Sequence, residues 1–333
     1  MRALVKRTNT PMDAVVLDRP TPEPGSGQVL VATEACGLCG SDVHAWKQDA
    51  GYDWVASPVC MGHEAVGTVV EVGDGVDRRW IGRRVVPVSI DGCGRCSVCL
   101  RGLRQICPDK AVLGLSFDGA AAEFFVVDEH RLVPVEHDLP ATVLVLTEPL
   151  SVAGRAVSHL QRADPEAKNV VVSGPGPIGL MIALLLSQSG HAVLLTGAPR
   201  DQDLRLATAR SLGLATAVGD DLGGFEAQGW IEASGSGAGL GTALRTVMPG
   251  GTVVVPALFA SDANPDMNLV TRREIRILGS YGSQRSDYVT AMNYLATDPE
   301  MWGSLVTVRQ LEDAIDALET AAAAQAFKVV LTP

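Results

Sequence analysis

Short runs of β-branched and aliphatic residues, broken by Gly and Pro, fill the first 150 positions. Gln28-Val29-Leu30-Val31-Ala32-Thr33, Thr68-Val69-Val70-Glu71-Val72 and Arg84-Val85-Val86-Pro87-Val88 are examples. Turn residues part them at close intervals, which predicts an all-β, barrel-like unit. Near 150 the texture changes. Residues 151–162 read as a helix, Asn169-Val170-Val171-Val172-Ser173 as a buried strand, and the apolar stretch to Ser189 as a second helix. A strand over 191–196, a helix over 201–212 and strands near 215–218, 229–233, 252–256 and 275–280 continue the alternation. Strands alternating with helices predict a doubly wound parallel sheet. Between Val218 and Trp230 there is little room for a crossover helix, so that connection is expected to be extended. From about 290 two helical stretches lead to the strand-like Phe327-Lys328-Val329-Val330-Leu331. A lone last strand needs a sheet to join, so it is expected to return to the first unit. The expected organisation is a domain over 1–152, a second over 153–289, and a return to the first over 290–333.

Composition narrows the class. The 333 residues are 47% hydrophobic and 20% charged, which is globular rather than disordered. A formal net charge of −11 argues against a nucleic-acid partner, which would call for a basic face. The longest apolar run, Ile178 to Leu186, falls well short of the roughly 20 residues that span a membrane. The first residues carry no apolar stretch of signal-peptide length, so a cytoplasmic protein without membrane partners is expected.

Gly174-Pro175-Gly176-Pro177-Ile178-Gly179 lies between the strand 169–173 and the helix that follows. In that context the glycine pattern predicts a dinucleotide site. The first glycine turns the chain, the second admits the pyrophosphate, and the third lets helix and strand pack. Gly174, Gly176, Pro177, Ile178 and Gly179 are therefore candidate cofactor contacts, with helix N–H groups facing phosphate. A site for NAD usually has an acid at the end of the second strand. Here the chain reads Thr196-Gly197-Ala198-Pro199-Arg200, with Asp201 and Asp203 only later. Thr196, Gly197 and Arg200 instead suit a 2′-phosphate, so NAD(P) is expected with NADP favoured.

Seven cysteines are present, four of them crowded as Cys93-x2-Cys96-x2-Cys99-x7-Cys107. In a large chain without an export signal, such crowding reads as metal before disulfides. Four thiolates make a closed, structural zinc site, with iron–sulfur ligation as the competitor. Two further segments suggest a second metal: Cys36-Gly37-Leu38-Cys39-Gly40-Ser41-Asp42-Val43-His44 and Gly62-His63-Glu64-Ala65-Val66-Gly67.

With Glu148-Pro149-Leu150-Ser151-Val152, these segments follow one another in the order found in the zinc-containing medium-chain dehydrogenases. The chain resembles their sorbitol and threonine dehydrogenase branch over nearly its whole length. The resemblance implies a GroES-like β-barrel catalytic domain and a Rossmann cofactor domain. It implies Cys39 and His63 as ligands of a catalytic zinc, Glu64 beside or on the metal, and Glu148 where ethanol-type members have a third cysteine. Two zinc ions per chain are thus expected. It also implies Ser41 as the hydroxyl nearest the substrate oxygen, with His44 as the exit of a proton relay, and Asp42 steadying the loop. Cys36 and Cys60 read as buried thiols. A zinc with an open position would act as a Lewis acid on an alcohol while hydride passes to nicotinamide.

The expected function is hydride transfer between a secondary alcohol or polyol, or its ketone, and NAD(P). A zinc-free reductase is disfavoured by the cysteine lobe and the Cys39/His63 pair, and a nucleotide-binding scaffold by the Ser41–His44 segment. Sugar alcohol, cyclitol, diol and amino alcohol stay open as substrates. Trp46, Tyr52, Trp54, Ser116 and Phe117 line the substrate pocket or simply pack. A homodimer or homotetramer is expected, paired through the edge strand near 275–280.

Overall fold

The structure is a computed structural model that describes residues 1–333. The chain divides into two compact units, Met1–Glu148 with Ser283–Pro333, and Pro149–Gly282. These joints fall a few residues before 152 and 289. The helix read as 151–162 already begins at Thr147, and the first helix after the second unit, Arg285–Thr297, begins before 290.

The first unit is built on a seven-stranded sheet. Its order is Leu132–Pro134, Arg84–Pro87, Glu64–Val72, Gln28–Gly37, Lys328–Thr332 and Val306–Gln310, and Phe124–Asp128 pairs on Gln28–Gly37 as well. Gln28–Gly37 is the hub. It runs antiparallel to Glu64–Val72, to Phe124–Asp128 and to Lys328–Thr332, with register shifts at Leu30/Val31 and Thr33/Ala35. Such shifts bend a sheet and let it curl round a core. That core gathers Leu4, Val29, Val31, Val69, Phe125, Leu132, Leu318 and Leu331, all at most 1–2% exposed. The last strand does return to the first unit, with Leu331 opposite Cys36. The strand Val306–Gln310 escaped the sequence reading. It pairs only with Lys328–Thr332, and none of its residues is buried, so it lacks the hydrophobic alternation of a half-buried strand.

The second unit is a six-stranded, wholly parallel sheet. Its order is Ala215–Val218, Ala192–Gly197, Asn169–Ser173, Gly229–Glu232, Thr252–Val255 and Arg276–Gly279. The order reverses at Asn169–Ser173, where a doubly wound sheet binds its ligand. The helix Pro177–Gln188 is buried along most of its length, from Gly179 to Leu186, which explains its uniformly apolar sequence. The connection 219–228 holds no helix, and Gly219, Gly223 and Gly224 carry it at positive φ. The helix expected over 201–212 is instead three short pieces, Pro199–Asp201, Gln202–Leu206 and Ala207–Ser211, the middle one wound as a π-helix. Asp201 accounts for the interrupted start, since its carboxylate accepts from Ala198 N at 3.0 Å and from Arg205 at 3.2 Å. No helix is long and apolar enough to cross a membrane.

The last strand therefore completes the first unit. Leu331→Ala should destabilise that unit by about 2–4 kcal/mol. Urea unfolding would register this as a lower midpoint with an unchanged slope.

Candidate metal centre and cofactor turn

Cys39 stands at the end of the hub strand's loop, as N-cap of the helix Gly40–Lys47. His63 and Glu64 lie where the strand Glu64–Val72 begins, opposite Gly37. Pairing of these two strands brings the Cys39, His63 and Glu64 donor atoms within 4.8 Å of one another. Asp42 orients the group. Its carboxylate accepts from Cys39 N at 2.9 Å and Gly62 N at 3.3 Å, and lies 3.5 Å from His63 Nδ1. Ser41 Oγ is 3.3 Å from the other imidazole nitrogen, Nε2.

Lys328, in the last strand, was not anticipated. It is buried, forms an ion pair with Glu64, and donates to Leu38 O at 3.0 Å. A lysine inside the run Phe-Lys-Val-Val-Leu was the available signal, because a buried ammonium needs a partner. Glu64 Oε1 has no hydrogen-bond partner. Glu148 lies beyond the three-residue cluster. It accepts from Ser89 Oγ at 2.7 Å, and Ser89 in turn is held by Tyr288, whose hydroxyl accepts from Ser89 N at 2.9 Å. Ser89 and Tyr288 were also missed, for nothing local in the sequence links them.

The electrostatics are those of a buried charge cluster. Burial opposes charge on His63, but the Asp42 carboxylate and Cys39 outweigh it and carry the imidazole well above its usual range. Burial likewise opposes the Asp42 carboxylate, and the charge on His63 with the Cys39 N–H still brings it below its ordinary value. Burial would lower Lys328, yet Glu64 and then Cys39 raise it. Glu148 is pushed up by burial. Cys36 and Cys60 are buried thiols raised by desolvation, Cys60 to about 12, and neither joins the cluster.

His44 is half-exposed, bonded through Nδ1 to Asp49 at 2.7 Å, and stacked on Tyr52. It shares a helix face with Ser41, three residues earlier. Trp46 is buried, and Trp54 is half-exposed and stacked on Tyr52. Phe117 lies under the Arg131 guanidinium, and Ser116 Oγ accepts from Val112 N, so both have packing roles.

The four-cysteine lobe is tighter. Sγ–Sγ separations are 3.7 Å for Cys96–Cys107 and Cys93–Cys107, and 4.0 Å for Cys93–Cys99. A tetrahedral zinc at about 2.3 Å from each sulfur sets its ligands about 3.8 Å apart, so the residues fit the ion. N–H groups of Arg95 and Cys96 bring the Cys93 thiol down to about 6, and a Cys99 N–H lowers Cys96. Burial takes Cys99 up to about 12. The Asp91 carboxylate braces the lobe against Arg104, which also donates to Gly92 O at 2.9 Å.

In the second unit the glycines act as three different constraints. Gly174 has φ +94°, and a Cβ there would lie 2.6 Å from Ser234 N. A Cβ on Gly179 would lie 1.8 Å from Gly174 O, so helix and strand meet only through glycine. A Cβ built on Gly176, the N-cap of the helix, would meet nothing within 4 Å, which leaves the approach to the helix N-terminus open. Pro177 fills the first helical position and Ile178 the next. Glu232, fully buried, holds the adjoining turn by accepting from Ser234 N at 3.0 Å and Gly235 N at 3.2 Å. At the second strand's tip Thr196 is buried, with its carbonyl accepting from Gly174 N. Gly197 packs on Pro175, 2.7 Å from where a Cβ would stand, and so is required by packing. Arg200 is exposed, and Asp201 is occupied as a cap.

The Lys328–Glu64 pair makes a direct prediction. Lys328→Met should cost about 3–5 kcal/mol by leaving a buried carboxylate unpaired. Adding Glu64→Gln should recover much of that loss in a denaturation double-mutant cycle.

Comparison with known proteins agrees with this architecture. Residues 25–137 match the alcohol dehydrogenase GroES-like domain. Sorbitol dehydrogenase of Halalkalibacterium halodurans is 30% identical, over 100% of this chain and 99% of its own length. L-threonine 3-dehydrogenase of Chelativorans sp. is also 30% identical, over 99% and 98%. The crystal structure of a putative zinc-binding dehydrogenase from Sinorhizobium meliloti, bound to NADP, superposes with a TM-score of 0.89. It is 27% identical, over 100% of this chain and 99% of that one. The chain belongs to the zinc-containing medium-chain alcohol dehydrogenases.

Proposed function

We propose that the protein is a cytoplasmic NAD(P)-dependent dehydrogenase of secondary alcohols and polyols, working in both directions between alcohol and ketone. One observation carries this reading: Cys39, His63 and Glu64 converge in a buried pocket beside the Ser41 hydroxyl. A sulfur, an imidazole and a carboxylate form a donor set suited to catalytic zinc. When bound, zinc supplies Lewis acidity at the alcohol oxygen.

The chain's own residues supply the rest. Asp42 orients His63 through Nδ1 and leaves Nε2 for the metal. Ser41 Oγ receives the alcohol proton, and His44, on the same helix and open to water, passes it out. Lys328 neutralises Glu64. Glu148, held by Ser89, offers a carboxylate that either completes the ligand set or accepts from further substrate hydroxyls. That last role favours polyols among the substrates. Cys93, Cys96, Cys99 and Cys107 hold the second, structural zinc.

The turn Gly174–Gly179 takes the pyrophosphate. At the strand tip Asp201 is engaged with Ala198 and Arg205, so no free carboxylate meets the ribose. Arg200 is exposed and free of any ion pair, which favours NADP. The strand Arg276–Gly279 ends the parallel sheet, and pairing of two such edges would build a homodimer or homotetramer.

Metal analysis tests the ligand assignment. Wild type should carry two zinc ions per chain, and Cys39→Ser one, with turnover lost and the fold kept. Cys96→Ser should instead lower the melting temperature and solubility. Full turnover by Cys39→Ser would refute the catalytic role. Arg200→Ala should weaken NADP by roughly ten-fold or more, the scale of a lost charge-assisted bond. It should leave NAD nearly unchanged in steady-state kinetics.

A further inference from the structure

A cavity of about 460 Å³ lies in the first unit, away from the Cys39 cluster. Val88, Ile90 and Asp91 form one side, Arg104 and Gln105 of the cysteine lobe another, and His130 and Arg131 a third. The residues Ser283–Ser286, at the start of the helix Arg285–Thr297, close it. Its volume is that of a small-molecule site.

The charge lining it is unbalanced. Three guanidinium groups, of Arg104, Arg131 and Arg285, face one carboxylate, Asp91. Both Asp91 oxygens are already engaged, one by Arg104 Nε and the other by Arg104 Nη2 and His130 Nε2. Arg131 is the telling residue. It is only 4% exposed and makes no ion pair. It donates through Nη1 to Val88 O and Ser89 O and through Nη2 to Ala111 O, each at 3.2 Å, and its Nε–H has no partner. The Phe117 ring and the nearby Asp91 and Asp128 carboxylates offset its burial only in part, since none is in ion-pair contact with it, and an anion in the cavity would complete the compensation. Arg285 is exposed, also without an ion pair, and reaches only His130 O, at 3.5 Å. The first turn of the helix Arg285–Thr297 is already capped, since the Asp287 carboxylate accepts from Gln284 N at 2.8 Å, so the arginines carry the positive charge here.

We propose that this cavity binds a small polyhydroxylated phosphate monoester, its phosphate held by Arg131 and Arg285. Guanidinium groups match the oxygens of a phosphate dianion better than a point charge does. The cavity is larger than a bare oxyanion needs. Gln105, Gln284 and Ser286 supply groups for hydroxyls, and Val88 and Ile90 supply apolar surface for carbon. The site is separate from the metal cluster but linked to it. Arg131 holds the Ser89 carbonyl, and the Ser89 hydroxyl donates to Glu148. An occupant would thus steady the segment that positions Glu148.

The test uses the zinc-loaded full chain with saturating NADPH, so that the glycine turn is filled and no alcohol can be oxidised. Ionic strength is fixed with sodium chloride. Sorbitol 6-phosphate, inorganic phosphate and sorbitol are compared by calorimetric titration and by melting temperature. The ester should bind saturably at one site per chain and raise the melting temperature. Inorganic phosphate should bind more weakly, and any sorbitol binding, at the catalytic site, should be the same in wild type and in Arg285→Gln. Arg285→Gln, at an exposed position that leaves folding intact, should weaken the ester roughly ten-fold or more, and Arg131→Gln at least as much. Three results would overturn the proposal: no saturable binding above the chloride control, sorbitol binding that weakens along with the ester's in Arg285→Gln, or unchanged affinity for the ester in Arg285→Gln. Inorganic phosphate binding as tightly as the ester would also overturn it, leaving a bare-anion site.

Discussion

The first unit depends on keeping a set of charges neutral inside an apolar barrel. Lys328 and Glu64 are paired within the core, and Asp42 faces His63 a few ångströms away. Lys328 answers Glu64, and the Asp42 carboxylate favours a proton on His63. Isolated buried charge is the arrangement a protein interior tolerates least. Lys328 is as necessary to that balance as any ligand, since without it Glu64 brings an extra negative charge into the core.

This dependence explains the order of the chain. The cluster draws on residue 39, residues 63 and 64, and residue 328, so the barrel cannot close its charges until the last strand is in place. Lys328–Thr332 lies beside Gln28–Gly37, and the same pairing that buries Leu331 delivers the ammonium to Glu64. Hydrophobic register and charge balance therefore select the same pairing, because a slip of one residue would take Lys328 away from Glu64 and move Val329 and Leu331 out of the apolar core.

What could be read in the sequence follows from how local each signal is. The six parallel strands were legible because each is a short apolar run between turn residues, and Asn169–Ser173 and Ala215–Val218 match the reading residue for residue. The four-cysteine lobe and the glycine turn were legible because their spacing is their chemistry. Val306–Gln310 was not, since an exposed edge strand lacks alternation. Lys328, Ser89 and Tyr288 were hidden for a different reason. Each acts on a residue far away in the chain, Lys328 on Glu64 and Tyr288 on Ser89, and only the assembled sheet reveals the partner. Gly197 shows the opposite hazard. It stood where a 2′-phosphate contact was expected, yet packing against Pro175 alone accounts for its lack of a side chain.

The two metal-donor sets differ in what surrounds them, and that difference underlies the division of work proposed for them. In the cysteine lobe, four sulfurs sit at the corners of one tetrahedron, and backbone N–H groups of Cys93 and Cys99 donate to two of them. Every direction about the centre is used, so nothing further can approach. In the barrel only three donors converge, of three chemical kinds, and a fourth candidate, the Glu148 carboxylate, is bonded by a serine. The Ser41 hydroxyl lies 3.3 Å from His63 Nε2, and the Ser89 hydroxyl bonds the Glu148 carboxylate. Proton-carrying groups next to an incomplete donor set are of little use to a purely structural ion. They are what a reacting alcohol needs, because its oxygen must lose a proton as its carbon loses a hydride.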